Sequence, residues 1–324
     1  MTPEPAVHPL QCSRDLLPQP GALRARFEQE GYVFLRGVLP ADTLLALRRD
    51  ITAICARHGW IRGGAATMDA IAVAPPCNEG EERYFAVYDE VQKLESLHAL
   101  AHEPALLGLM RALLGESAFP HPLGIVRLMF PDNAECTTPP HQDFPNNQGT
   151  PDLYASWIPL GDCPLELGGV AILERSHTAG LLPLAYSLGA GTRQAVRDEP
   201  LASRRWLASD YRAGDVLVFH SMTVHRALLN RTSDRMRLSC DFRYQRQGEP
   251  LVARSLQPHF GRLGWEEIYR GWHSTRLQYY WKGLDYRVVD WDESYHRLPD
   301  DHLKDAIRLK REYDRRRFRA SAGV

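Results

Sequence analysis

With 324 residues, 39 basic and 40 acidic side chains and a formal charge of −1, the chain has no charge excess to draw it to nucleic acid or an anionic membrane. No run is long and apolar enough to span a bilayer, and Met1 to Pro20 is Pro-rich and polar, without the apolar core of a signal peptide. The length suits one large β domain with appended helices and a sizeable core, expected in the cytoplasm.

Residues 1–20 are expected to form a disordered or extended arm, and residues 21–324 a single domain. Leu23 and Phe27 suggest a short helix that Gly31 breaks, and Tyr32-Val33-Phe34-Leu35 reads as a strand. Asp42 is a good N-cap for a helix from Thr43 to Arg57, where Leu44, Leu47, Ile51 and Ile54 recur at helical spacing. A loop from Gly63 to Glu82 leads to a short strand at Arg83 to Tyr88. Glu90 to Leu114 is mostly helical, interrupted near Pro104 and ended by Gly115.

A β-rich region follows, with strands at Ile125–Phe130, Leu153–Leu160, Val170–Leu173, Val216–His220 and Arg237–Tyr244. Short strands separated by turns indicate a sandwich or barrel. Residues 180–210 read as an insertion without a defined pattern. The extension 255–324 is aromatic and reads as helical, with a charged last helix near Asp300–Arg319. The six cysteines are scattered without a Cys-x-x-Cys pair, which fits free thiols in a reducing compartment.

One stretch carries chemistry. In Pro-Pro-His141-Gln142-Asp143-Phe, an extended backbone points His141 and Asp143 the same way. Two ligands hold a transition metal poorly, so a third must come from a distant strand. His225 is the preferred third ligand and His220 its rival. Two histidines and one carboxylate on one face of a metal, with open positions opposite, mark non-haem Fe(II) oxygenases. By itself His-x-Asp is a weak signal, and the alternatives are a non-catalytic cupin-like binding protein or a zinc hydrolase.

The strand from Arg237 adds weight. Arg237, Ser239, Asp241 and Arg243 share one face, and Leu238, Cys240, Phe242 and Tyr244 the other. Such a polar stripe more often faces solvent. Pointing inward, Arg237 with Ser239 would clamp the far carboxylate of a 2-oxoglutarate cosubstrate, since the planar guanidinium fork suits a carboxylate. Arg235 has the same parity and is the alternative clamp. The pairs Gly168-Gly169 and Gly214-Asp215 mark tight turns before strands.

These motifs resemble the phytanoyl-CoA dioxygenase family of iron/2-oxoglutarate oxygenases, from about Phe27 to Gln245. The likeness rests on Pro-Pro-His141-Gln142-Asp143, Trp157-Ile-Pro-Leu, Gly168-Gly169 through Ser176-His177, Gly214-Asp215 through His225, and Asn230 to Tyr244. It implies a mainly β double-stranded β-helix, a cupin-like jelly roll, with helices packed outside. It also implies Fe(II) held by His141, Asp143 and His225, with 2-oxoglutarate held by Arg237 and Ser239 and walled by Trp157. The reaction so implied consumes O2 and oxidises a small-molecule substrate, with release of succinate and CO2. Because Asp143 is present, hydroxylation is expected rather than halogenation.

The chain departs from that pattern in two places. Ala227 stands where members often carry a hydroxyl residue, and no Lys precedes Lys93, so Arg83, Tyr84, Tyr88 or Arg127 would take an upstream lysine's place on the cosubstrate. Candidate substrate residues are Tyr84, Arg127, Met129, Phe144 and Arg243. Gln142 is expected behind the metal, and His121, His177, His259, His273 and His296 in structural or surface roles.

Overall fold

In the stretch expected as an arm, Arg14–Leu16 form a 3-10 turn and Pro20 already begins a helix. In this computed structural model, which describes residues 6–186, 194–196, 201–298 and part of 303–312, β1 (Val7–His8) pairs in parallel with a strand near residue 206. Leu10 and Ser13 are buried there. Helix α1 (Pro20–Glu30) ends at Gly31, β2 (Tyr32–Leu35) follows, and α2 (Ala41–Arg57) buries Leu44, Leu47, Ile51 and Ile54. Asp42 is not the N-cap: the helix starts two residues earlier than expected, at Ala41 after Pro40, and Asp42 lies in its first turn.

The segment expected as a strand at Arg83–Tyr88 is helical, within α3 (Glu82–Gln92). Tyr84, Val87, Tyr88 and Val91 are its buried positions, and their spacing of three and four outweighs the strand preference of the aromatic residues. Helices α4 (Glu95–Leu100) and α5 (Pro104–Leu114) complete this layer, with Pro104 at the first position of α5.

The chain then builds β3 (Ala118–Met129), the short α6 (Phe144–Asn147), β4 (Tyr154–Pro159), β5 (Val170–Leu173), β6 (Leu184–Tyr186), β7 (Gln194–Val196) and β8 (Trp206–Leu207). It continues with β9 (Val216–His220), β10 (His225–Ala227), β11 (Arg237–Arg246) and β12 (Pro250–Val252). The aromatic extension is largely not helical. It contains the four-residue α7 (Trp265–Ile268), isolated 3-10 turns and β13 (Arg287–Val289), which pairs with β12. Trp265, Tyr269 and Trp281 form its own small core. The charged helix expected at 300–319 lies largely outside the described residues.

Among the described residues, the larger sheet runs β2-β9-β4-β11-β3 and the smaller β1-β8-β5-β10. Strand pairing does not close the two into a barrel. Both faces of the larger sheet are covered, so β2 and β9 read as nearly continuous apolar runs. On β9, Val216 and Val218 join the core against the helices, while Leu217 and Phe219 join the core between the sheets. On β11, Leu238, Cys240, Phe242 and Tyr244 join the helix-side core. The stripe Arg237, Ser239, Asp241, Arg243 therefore turns into the space between the sheets. Each fully buried apolar side chain contributes roughly 1.5–3 kcal/mol, so the helix-side residues hold the polar stripe in place. No helix among the described residues is long and apolar enough to cross a membrane.

Candidate metal centre

His141 and His225 meet as a backbone pair. His141 N donates to His225 O at 2.9 Å and His225 N to His141 O at 3.0 Å. Ala227 N donates to Thr138 O, so residues 138–141 add a short edge to β10. The extended reading holds for His141 but not for Asp143. Its φ and ψ of −74° and −30° are helical, and it begins α6. Asp143 N and Phe144 N both donate to Ser221 O, the residue after β9. The bend still brings the three side chains together. Asp143 Oδ1 lies 3.7 Å from His141 Nε2 and 3.8 Å from His225 Nε2. One ligand atom from each of the three residues lies within 4.8 Å of the other two.

The protonation states suit a metal. His141 Nδ1 sits 2.9 Å from Pro139 O, and His225 Nδ1 3.0 Å from Thr223 O. A carbonyl only accepts, so each Nδ1 carries the proton and each Nε2 presents its lone pair to the common point. Burial, with the neighbouring His225, pushes His141 down to about 3, and burial pushes His225 down as well. Burial alone would raise the Asp143 carboxyl, but Arg243 and the two imidazoles outweigh it and hold it at about 2. At neutral pH the centre is two neutral imidazoles and one carboxylate. Gln142 is buried behind it. Its Nε2 donates to Gly180 O and Met222 O at 2.8 and 2.7 Å, and its Oε1 accepts from Leu182 N at 2.9 Å.

Two glycines hold the strands that converge here. Gly168, at φ +81°, would drive a Cβ to within 2.5 Å of Leu228 O, just beyond β10. Gly214, at φ +100°, would meet Leu39 O at 2.9 Å. Beside it, Asp215 caps the turn into β9 by accepting from Arg212 N and Gly37 N.

A chamber of about 30 Å³ lies next to the imidazoles, lined by Trp157, Phe219, His225, Arg237 and Asp241 among others. Arg237 is buried, and its Nη1 donates to Ser239 Oγ at 2.7 Å. Its guanidinium carbon is 5.8 Å from the Trp157 ring centre, and Nε has no partner. Among the described residues no carboxylate reaches ion-pair distance of Arg237, and burial lowers its pKa. Arg235 is exposed in the loop before β11, beside Asp234 and Thr232. The donor set and the unpaired cation fit a metal with an anionic cosubstrate: two imidazole nitrogens and a carboxylate oxygen for iron, and Arg237 for a carboxylate.

The family is decided by comparison with known proteins. The model of the phytanoyl-CoA dioxygenase family matches residues 27–239. This chain belongs to the phytanoyl-CoA dioxygenase family. It is 32% identical over 245 residues to the 1-deoxypentalenic acid 11-beta-hydroxylase of Streptomyces arenae, covering 71% of this chain and 82% of that one. The enzyme of the same name from Streptomyces exfoliatus is 28% identical over 248 residues, with the same coverage. Among solved structures, the epimerase SnoN in complex with Fe3+, alpha ketoglutarate and nogalamycin RO superposes with a TM-score of 0.52 at 23% identity, over 72% of this chain and 85% of that one. The fold is accordingly the jelly-roll double-stranded β-helix of this family. The protein is a 2-oxoglutarate-dependent non-haem iron oxygenase.

In this family member a second chamber, about 310 Å³, adjoins the first through Arg127, Thr138, His141 and Arg243. Of the candidate substrate residues, Arg127 and Arg243 line it. Arg127 is held by Asp241 and Glu79, each at 3.0 Å, and these carboxylates raise its pKa against the burial that would lower it. Arg243 faces Asp143. Tyr84, Met129 and Phe144 are not part of the lining of either chamber. Tyr84 stacks on Tyr88 in the helix-side core. Tyr88 reaches His259 Nδ1 at 2.6 Å, and Arg83 donates to Pro75 O and Pro76 O. Of the four stand-ins for an upstream lysine, only Arg127 therefore faces the chambers.

Phe144 lies under Tyr295, with ring centres 5.2 Å apart. Gln148 and Asp292 exchange two hydrogen bonds at 2.9 and 2.7 Å, and His296 Nε2 sits 2.8 Å from Pro145 O. The segment 291–296 thus straps α6, the helix that starts at Asp143. Sequence reading missed Thr138, Arg254, His259 and Phe260 as lining residues. None lies in a patterned strand, so no periodicity pointed to them. His220 turns away from the centre, toward Asp152 and the Tyr154 ring, and His177 Nε2 meets Glu28 O.

Proposed function

We propose that this oxygenase hydroxylates a small metabolite of the natural-product kind, with His141, Asp143 and His225 holding Fe(II) and Arg237 with Ser239 holding the far carboxylate of 2-oxoglutarate. The observation that carries the reading is Arg237. It is a buried guanidinium without an anionic partner, in the same chamber as the two imidazoles. A buried cation of this kind is costly unless an anion completes it. A zinc hydrolase with the same ligands would leave it without a task. When bound, Fe(II) with 2-oxoglutarate and O2 supplies the oxidant that takes hydrogen from the substrate, and succinate and CO2 are released.

The chain's own groups bind and orient. Pro139 O and Thr223 O fix the imidazole rings, Trp157 walls the cosubstrate, and Phe219, with its ring centre 4.3 Å from that of His225, keeps water from that side. Leu123, Ile125, Pro139 and Phe260 give the outer chamber one apolar side, while Glu79, Arg127, Asn146, Arg243, Arg254 and His259 make the rest of its lining polar. A scaffold with an apolar body and an acidic group fits that lining, and the hydroxylation of 1-deoxypentalenic acid by the relatives supports the same substrate class. Cys12, Cys55, Cys77, Cys163 and Cys240 are free thiols, which supports a reducing, cytoplasmic setting. We place residues 21–324 in one catalytic domain.

Anaerobic addition of Fe(II) and 2-oxoglutarate should give a weak visible charge-transfer band that Asp143→Ala abolishes. Succinate release should then be measured over a panel of small carboxylic-acid metabolites, beginning with 1-deoxypentalenic acid. Absence of the band in the wild-type protein, or turnover that survives His141→Ala, would refute the assignment.

A further inference from the structure

The aspartate of the triad has a second partner inside the protein. Arg243 Nε lies 2.9 Å from Asp143 Oδ2, and Arg243 Nη2 donates to Asp143 Oδ1 at 3.2 Å. The Nε contact is off the hydrogen-bonding line, so it acts as an ion pair alone. Both side chains are buried. One edge of the guanidinium thus spans the two carboxylate oxygens. A metal held by both oxygens would have to occupy that same span. What remains is the other side of Oδ1, which faces His141 Nε2 at 3.7 Å and His225 Nε2 at 3.8 Å.

The strand beside Arg243 is irregular where this contact is made. Pairing of β11 with β3 runs in register to Phe242↔Gly124 and then shifts, resuming at Tyr244↔Pro120. β3 spends four residues where β11 spends two, so the bulge lies on β3 and leaves Arg243 without a β3 partner on that edge. β11 itself stays in register with β4, through Arg243↔Ala155, and Arg243 keeps the inward alternation of Arg237, Ser239 and Asp241 that brings it to the metal ligand.

We propose that Arg243 is a positioning residue that limits Asp143 to one metal-facing oxygen, Oδ1, and so keeps a coordination position free for 2-oxoglutarate or O2. The proposal rests on the oxygenase reading above. Electrostatics argue against a role in metal affinity, because a guanidinium next to a dication repels it. Its removal should leave the metal bound at least as well while loosening the cosubstrate.

The test titrates metal-free protein anaerobically with Co(II) and then with 2-oxoglutarate, in wild type, Arg243→Gln and Arg243→Lys. In Arg243→Gln the Co(II) Kd should stay within about threefold of wild type or tighten, and the 2-oxoglutarate Kd should rise on the order of tenfold with Arg237 intact. The visible Co(II) band should weaken, since its intensity falls as coordination number rises. Arg243→Lys keeps the charge without the fork and should fall between; it also serves if the glutamine variant does not fold. An unmoved band and 2-oxoglutarate Kd in both variants would overturn the proposal, and so would a tenfold or greater loss of Co(II) affinity. Wild-type protein that binds neither probe would sink the oxygenase reading too. Normal wild-type binding with unmoved variants sinks this inference alone.

Discussion

His141 and His225 hydrogen-bond to each other through both of their main-chain groups, and their ring centres are 4.1 Å apart. The distance between the two imidazoles is therefore set by a ladder step, not by side-chain packing. Removing a ring leaves the step in place. His225→Ala should fold normally, with a melting temperature within a few degrees of wild type, and lose Fe(II) affinity by on the order of 100-fold. Calorimetry with and without metal checks both halves; a variant that unfolds would show that the ring itself holds the strands.

Arg237 and Arg235 have the same parity on the chain but different surroundings, one buried beside Trp157 and one exposed. Truncating a buried charged partner typically costs about 3 kcal/mol, which corresponds to a rise in the 2-oxoglutarate KM on the order of 100-fold for Arg237→Ala. Arg235→Ala should stay within about twofold of wild type. Steady-state kinetics at varied 2-oxoglutarate decides the matter, and the reverse ranking would move the clamp.

Acid should destabilise the fold well above the pH at which carboxylates titrate. Burial pushes His98, His102 and His121 down to about 4 each. In the unfolded chain a histidine titrates near 6.5, so between about pH 6.5 and 4 the unfolded state binds more protons than the native one. Stability is full above that window and falls as pH drops through it, by about 1.4 kcal/mol per pH unit for each such histidine. Urea midpoints at pH 7.5 and 5 should differ accordingly. His121→Asn should flatten the slope, and an unchanged slope would refute the role of that residue.

The strap over α6 can be loosened at Gln148, which exchanges two hydrogen bonds with Asp292. Each such bond contributes about 1 kcal/mol, so Gln148→Ala should speed amide exchange across residues 144–148 on the order of tenfold. Exchange in β9 and β11 should not change. Uniform acceleration everywhere would mean that the strap holds the whole fold and not this helix.

Part of the centre was legible in the sequence because β11 is written in period two. Alternation sorted the polar and apolar faces of β11, while the inward direction of the polar face and the choice of His225 over His220 came from the family resemblance. The pairing of His141 with Asp143 was right although Asp143 is helical and not extended. The segment Arg83–Tyr88 misled because aromatic residues favour strands, while the three- and four-residue recurrence of Tyr84, Val87, Tyr88 and Val91 carried the helix. The Arg243 contact with Asp143 depends on two distant segments meeting, and so does the strap, which joins residues about 145 positions apart. Neither leaves a periodic trace.

The alternation of β11 has a practical outcome for anyone who mutates it. Changes at Leu238, Cys240, Phe242 and Tyr244 open voids against the helices and should appear as low yield and early melting. Changes at Arg237, Ser239, Asp241 and Arg243 should give well-behaved protein that has lost its chemistry. A scan of eight neighbouring codons would thus sort itself by odd and even number into failures of expression and failures of turnover.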